Sequence, residues 1–68
     1  MRYVMNGRFN RGDRVQLDKI IQSDKRIGLE LGAQGTVMDN HTTYPDVLFD
    51  GHPNVVVMGE WQLKLLSK

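Results

Sequence analysis

The segment from Gly32 to Val37 constrains the fold of this chain more than any other. Its two glycines stand three residues apart and predict a tight turn, and the β-branched pair Thr36-Val37 predicts immediate entry into a strand. Residues 13–17 before it alternate polar and apolar side chains, and residues 47–51 after it end in the turn dipeptide Asp-Gly. Together these segments predict a very small all-β barrel.

The size and composition of the chain limit how such a barrel can be stabilised. The chain has 68 residues and no cysteine, which predicts one domain without disulfides or thiolate metal sites. A domain of this size buries only about 60% of its unfolded surface, so packing or partner subunits must supply the remaining stability. His41 and His52 are too few for a zinc site unless carboxylates join them. We therefore expect no metal and no cofactor.

The apolar and charged residues bear on location and partners. No apolar run approaches the roughly 20 residues of a membrane span, and the first residues lack the apolar core of a signal peptide. With the absence of cysteine, this predicts a cytoplasmic protein without a membrane partner. Residues 1–26 carry a net charge of +4 and residues 27–68 a net charge of −3. Such a molecule can present a basic edge to an anionic partner, although ordinary solvated charge explains the same pattern.

The pattern of apolar residues predicts a flexible lead-in over residues 1–10, with Phe9 as a possible anchor, and a barrel over residues 11–68. Arg11-Gly12-Asp13 is interpreted as a turn before the first strand. The connection over residues 18–31 is predicted to be a long charged loop ending in a short extended arm, with a helical turn over residues 19–23 as the alternative. Five strands are predicted, at residues 13–17, 36–38, 47–49, 55–58 and 63–66.

The scaffold residues resemble those of small SH3-like barrels of the prokaryotic and phage kind. The shared pattern covers about residues 11–66 and runs Gly12-Asp13-x-Val15-x-Leu17, Gly28-Leu29-x-x-Gly32-x-x-Gly35-Thr36-Val37, Val47-x-Phe49-Asp50, Val57 and Leu63-x-x-Leu66. The resemblance implies a small five-stranded, partly open SH3-like barrel. Barrels of this pattern include KOW-type nucleic-acid-binding modules and accessory subunits of larger complexes.

Two more specific families share part of this pattern. Arg11-Gly12-Asp13, Gly35-Thr36-Val37 and residues 44–50 are similar to the photosystem I subunit IV family, which implies shared architecture. Gly12-Asp13-Arg14-Val15 and His52-Pro53 are similar to the type B dihydrofolate reductases, which work as homotetramers around a pore. Their ligand-contacting glutamine and tyrosine after the His-Pro are replaced here within Val55-Val56-Val57-Met58, so this reductase activity is only a remote alternative.

Two sets of side chains are candidates for binding. The first could meet a nucleic acid or another anionic partner through cations and stacking aromatics, and comprises Arg8, Arg11, Arg14, Lys19, Lys25, Arg26, Tyr44 and Trp61. The second is an apolar stripe that could meet a protein partner or a second copy of the chain, and comprises Val55, Val56, Val57 and Met58. Trp61 precedes the last strand, a position where a tryptophan more often packs against the core or the barrel edge than serves as a stacking platform.

Catalytic patterns are weak by comparison. His41 and His52 could lie near one another with Asp39 or Asp50, but both occupy predicted turns, where such residues are commonly solvated. The leading interpretation is therefore a non-enzymatic binding module, of the kind found in phage or bacterial accessory proteins, that engages a protein partner through a strand edge. The alternative is a nucleic-acid-binding barrel that uses the basic N-terminal edge.

Overall fold

The computed structural model describes residues 9–39 and 43–67, and the all-β fold with five strands is confirmed. Residues 1–8 of the predicted lead-in lie outside the described residues. The elements in chain order are β1 (Arg14–Leu17), α1 (Gln22–Arg26), β2 (Gln34–Asp39), β3 (Asp46–Phe49), β4 (Val56–Val57), a 3₁₀ turn (Glu60–Gln62) and β5 (Leu63–Ser67). No helix among the described residues is long and apolar enough to cross a membrane.

The five strands form one antiparallel sheet in the order β4-β3-β2-β1-β5. Consecutive strands from β1 to β4 pair as neighbours, and β5 returns to pair with β1, with Val15 opposite Leu65. Because β4 and β5 each have one neighbour in the described part of the chain, the sheet is open between them. This leaves β4 as an edge strand.

One buried cluster on the inner face of the sheet forms the core. The alternation in β1 puts Val15 and Leu17 into it, as the sequence predicts. Phe9 is 1% exposed, so the predicted anchor before the first strand is confirmed. The core residues are Phe9, Val15, Leu17, Leu29, Val37, Val47, Phe49, Met58 and Leu63.

The two glycines of the segment from Gly32 to Val37 have different structural roles. Gly32 has a φ of 90°, which a side chain disfavours, and it forms the turn before β2. Gly35 lies inside β2, where a Cβ atom would meet the carbonyl oxygen of Leu48 at 2.7 Å and the Cα atom of Phe49 at 2.9 Å. The second glycine is therefore needed for the close approach of β2 to β3 and not for the turn.

The connection over residues 18–31 differs from the predicted loop with an extended arm. It contains α1, which begins three residues later than the helical turn considered as the alternative. Asp24 in α1 is buried, and its Oδ2 atom accepts hydrogen bonds from Ile21 N at 3.1 Å and from Gln62 Nε2 at 2.7 Å. A residue that follows β4 thus holds the connection onto the rest of the fold.

Two strands near the end of the chain also differ from expectation. The four-residue apolar run of Val55 to Met58 contributes only two residues to β4, and Met58 is 1% exposed in the core. The alternation in the predicted last strand favours Leu63 and Leu65 as its buried side chains. Leu63 is buried, whereas Leu65 is 37% exposed because β5 is the other edge of the sheet.

Candidate protein-binding surface

The exposed side of β4 is the first feature of the candidate surface. Val56 lies opposite Val47 and Val57 lies opposite Asp46. The same register continues to Met58, whose N–H donates to the carbonyl oxygen of Pro45 over 3.0 Å. Since hydrogen-bonded and non-hydrogen-bonded pairs alternate in an antiparallel ladder, the N–H and C=O of Val57 point away from β3. They face the open side of β4, where the described residues place no further strand.

The predicted apolar stripe is divided between this surface and the core. The side chains of Val55 and Val57 are 49% and 63% exposed. Val56 packs against the core, and Met58 belongs to it. A partner at the edge of β4 can therefore contact Val55 and Val57, but it can reach Met58 only if the core opens.

Tyr44 and Trp61 lie at the end of the same ladder. Glu60 N donates to the carbonyl oxygen of Thr43 over 3.1 Å, so the register that pairs Pro45 with Met58 places Tyr44 opposite Gly59. A Cβ atom on Gly59 would lie 2.5 Å from Trp61 Nε1, which shows that the indole covers Gly59. The two aromatic side chains, 59% and 54% exposed, therefore occupy one corner of the sheet. The β4 edge surface is defined by the side chains of Tyr44, Val55, Val57 and Trp61.

Carboxylates lie beside the β4 edge surface. Asp46 pairs with Val57 of β4 on one side and with Asp39 of β2 on the other. Because paired residues of a sheet project from the same face, the two carboxylates lie on the face that carries Val57. Residues 39–63 contain four carboxylates and no lysine or arginine. The two aromatics predicted as stacking platforms thus lie in a stretch of the sequence that contains none of the predicted cations.

Arg14, one of the predicted cations, is engaged within the sheet. Its guanidinium donates to both carboxylate oxygens of Asp50, at 2.9 and 2.6 Å, and to Thr36 Oγ1 at 3.0 Å. The hydrogen bond from Arg14 holds the pKa of Asp50 below its ordinary value, and the same bond raises the pKa of Arg14. Arg14 therefore bridges β1, β2 and the end of β3, and its charge is compensated on the protein.

The remaining predicted cations do not form one patch. Arg11 precedes the start of β1, whereas Lys19 follows its end, and a strand of four residues separates the two sites by about 13 Å. Lys25 and Arg26 are exposed on α1, which follows Lys19 in the same connection. Arg8 lies outside the described residues.

The segment Gly28 to Leu31 separates two shallow grooves, of about 450 and 300 Å³. Ile20 and Lys25 line the larger groove, and His52 lines the smaller one. His52 Nε2 lies 3.1 Å from the carbonyl oxygen of Ile27, which can only accept, so this nitrogen carries the proton of the contact. The ring thereby attaches the loop after β3 to the connection that contains α1.

The described residues show no catalytic pairing for His52. Its second nitrogen, Nδ1, lies 3.0 Å from the carbonyl oxygen of Asn54 and 3.4 Å from the main-chain N–H of the same residue, so all of these ring contacts are to main-chain groups. His41, its predicted neighbour, lies outside the described residues. Among the described residues, no group of three histidine, aspartate or glutamate side chains could hold a metal ion.

Sequence reasoning missed two residues of this region, Gly59 and Asp46. Gly59 is needed because the indole of Trp61 occupies the space of a side chain at that position. Asp46 supplies the charge next to Val57. Residues 39–63 contain carboxylates but no lysine or arginine, and this is the sequence pattern that could have drawn attention to Asp46.

Comparison of the chain with protein-family models, with curated proteins and with solved structures gives no match. The relationship to SH3-like barrels, to photosystem I subunit IV and to type B dihydrofolate reductases stays a prediction from the sequence pattern.

Proposed function

We propose that the chain is a non-enzymatic binding module that adds an extended segment of a partner protein to the edge of β4. The observation that carries this proposal is Val57, whose side chain is 63% exposed and whose main-chain N–H and C=O face the open side of the sheet. An extended segment that pairs with such an edge gains main-chain hydrogen bonds, and alternate side chains supply specificity.

The amount of apolar surface supports an interaction of this kind. Aromatic side chains bury roughly 150–250 Å² each, so the four half-exposed members of the β4 edge surface offer on the order of 400 Å². A standard interface buries about 800 Å² on each partner. The side chains alone therefore bury less area than a standard interface. Main-chain pairing along β4 must supply the remaining contact.

The proposal is tested by selecting displayed linear peptides on the immobilised full chain and then measuring their binding to variants. Val57→Asp places a charge at the edge of the sheet, where it disrupts apolar contact without entering the core. We expect the selected peptides to lose at least about tenfold in affinity for this variant, while its circular dichroism stays that of the parent.

Leu31→Asp is the matched control, because Leu31 is as exposed as Val57 but lies in the segment between the two grooves. Peptide binding should survive this substitution. Peptides that bind Val57→Asp and the parent chain equally, or a selection that enriches none, would overturn the proposal. Loss of binding in Leu31→Asp alone would assign the site to the grooves and overturn it as well.

A second candidate function rests on the exposed cations of the α1 region. Lys19, Lys25 and Arg26 lie in one connection, and the ion pair found among the described residues involves Arg14 and not them. A single-stranded oligonucleotide bound there should lose affinity steeply as salt increases, because binding releases counterions. Fluorescence anisotropy of the oligonucleotide with the parent chain and with a Lys25→Ala/Arg26→Ala variant tests this candidate. An affinity that changes neither with salt nor with the substitutions would reject it.

A further inference from the structure

The edge of β4 lacks the features that keep two edge strands apart. Residues 54–59 contain no charged side chain and no proline. Native proteins place charges, prolines or bulges on exposed edge strands, because an unprotected edge pairs readily with another strand. The side chains of Val55 and Val57 are about half exposed here. The edge is therefore open to any strand whose main-chain groups match its own.

The main-chain groups that point outward along this edge come from two valines. Val56 lies opposite Val47 of β3 in the ladder, as a pair of the kind that exchanges hydrogen bonds. The alternation of the ladder therefore directs the N–H and C=O of Val55 and of Val57 away from β3. Together they offer two donors and two acceptors to a strand added beside β4.

This set of outward groups is limited at both ends. At Gly59, the next outward position, N–H donates to Gln62 Oε1 over 3.3 Å, and C=O accepts from Gln62 N over 3.0 Å. At the other end, Pro53 has no N–H and lies in a bend. An added strand thus finds hydrogen-bonding partners only over residues 55–57.

We propose that a second copy of this chain occupies the edge, paired antiparallel to β4 with a two-fold axis at Val56. This inference goes beyond the proposed function, because it needs no foreign partner. In this register Val55 of each copy lies opposite Val57 of the other, and each of these pairs exchanges two hydrogen bonds. A two-fold interface places the same surface on both copies, so the two donors and two acceptors of each edge are all satisfied.

The neighbouring registers leave some of these groups unpaired. A two-fold axis at Val57 would place Val55 opposite Gly59, whose N–H and C=O are already bound by Gln62. An axis at Val55 would place Val57 opposite Pro53, which has no N–H to donate. Unpaired main-chain groups at an interface cost free energy, so the axis at Val56 is favoured.

The side chains are compatible with the same register. Because paired residues project from one face, Val55 and Val57 of both copies form a single apolar row across the junction. Asp46 lies in β3 beside Val57, so the two Asp46 carboxylates are separated by at least three strand spacings, about 14 Å. Partly exposed charges at this separation are largely screened at physiological salt.

A second copy also has an advantage over a flexible segment, because its edge is already extended and pays no ordering cost on binding. Two copies of the β4 edge surface offer at most about 800 Å² of side-chain area, against roughly 1,200 Å² for the smallest standard interfaces. The association is therefore weak and reversible, and a partner segment that binds the same edge displaces it.

Sedimentation velocity of the full chain at increasing concentration, up to about 1 mM, tests the association. We expect the mass to rise from that of one chain towards that of two, and Val57→Asp to remain a single chain throughout. Leu31→Asp is the matched control, because Leu31 is as exposed as Val57 but lies away from β4, and it should associate like the parent. A parent chain that stays single, or association that Val57→Asp leaves unchanged, would overturn the inference.

Cross-linking tests the register, since the chain has no cysteine of its own. Val55→Cys and Val57→Cys chains would face each other with Cα atoms about 5.5 Å apart, which suits a disulfide, whereas two Val57→Cys chains would be roughly 9 Å apart. In a glutathione redox buffer, an equimolar mixture should give at least about fivefold more mixed disulfide than either symmetric one, against about twofold for random pairing. Random pairing, or a predominant Val57→Cys symmetric disulfide, would overturn the inference.

These failures are distinguishable from failure of the proposed function. A chain that stays single but binds Val57-dependent peptides would overturn the inference and leave the proposed function in place. A chain that associates through Val57 but enriches no Val57-dependent peptide would support the inference and overturn the proposed function. Where both occur, added peptide should return the mass to that of one chain, and a Val57-dependent peptide that binds without dissociating the pair would overturn the inference.

Discussion

Gln62 donates a hydrogen bond from Nε2 to Asp24 Oδ2 over 2.7 Å, and this contact joins residues that are 38 positions apart in the sequence. Gln62 Nε2 also donates to the carbonyl oxygen of Lys19 at 3.0 Å, while Oε1 accepts from Gly59 N at 3.3 Å. Both side chains are buried. One amide therefore connects α1, the start of the long connection and the 3₁₀ turn that precedes β5.

Replacing Gln62 with alanine should lower the free energy of unfolding by about 2–3 kcal/mol, because it leaves the buried Asp24 carboxylate without its side-chain donor. Urea unfolding followed by circular dichroism measures the loss. Gln22→Ala is the control, since Gln22 is exposed on α1 and its replacement should change stability by about 0.5 kcal/mol at most. Equal losses in the two variants would show that the contact with Asp24 does not stabilise the fold.

The Arg14–Asp50 ion pair should make part of the stability depend on acidic pH. The hydrogen bond from Arg14 lowers the pKa of Asp50 in the folded state below the ordinary value of 3.8. A carboxyl whose folded pKa is depressed stabilises the fold above its unfolded pKa, and this stabilisation is lost as pH falls through the folded pKa. We expect the parent chain to be more stable than Asp50→Asn at neutral pH, and the two to converge well below pH 3.8.

Asp50→Asn is a suitable variant because Asn-Gly favours the same turn as Asp-Gly, so the loop after β3 is preserved. The comparison uses urea midpoints of the two chains at a series of pH values, repeated at high salt. Salt should reduce the difference at neutral pH, because both partners are exposed to solvent. A difference that is constant from neutral to strongly acidic pH would contradict the assignment.

Gly35→Ala should destabilise the chain by on the order of 2 kcal/mol, because the new Cβ atom meets main-chain atoms of β3. The carbonyl oxygen of Leu48 and the Cα atom of Phe49 cannot move away without separating β2 from β3. Gln34→Ala in the same strand is the control, since its side chain is exposed. Thermal unfolding of both variants tests this prediction. A Gly35→Ala chain as stable as Gln34→Ala would show that β2 does not approach β3 closely at this position.

The sequence predicts those parts of the fold that depend on local patterns. Alternation of polar and apolar residues identified β1, and the apolar run of residues 47–49 followed by Asp50-Gly51 identified β3 with its turn. It did not predict α1 correctly, because the five-residue helix is held by Gln62, a distant residue. A run of three valines is compatible with a buried strand and with an edge strand. The sequence therefore does not predict the exposure of Val57, which depends on the order of the strands in the sheet.

Gly59→Ala should displace the indole of Trp61 without unfolding the chain. The added Cβ atom would lie 2.5 Å from Nε1 and 2.8 Å from Cδ1 of Trp61, and these belong to an exposed side chain that can rotate away. The main chain at Gly59 has φ −75° and ψ 140°, which alanine adopts readily.

The fluorescence of Trp61 measures this displacement, because Trp61 is the one tryptophan of the chain. We expect its emission in Gly59→Ala to shift towards that of a solvated indole. Stability should change by less than about 1 kcal/mol, whereas peptides selected on the β4 edge surface should bind more weakly. Leu31→Ala serves as the control for both readouts, and unchanged emission in Gly59→Ala would show that the indole does not cover Gly59.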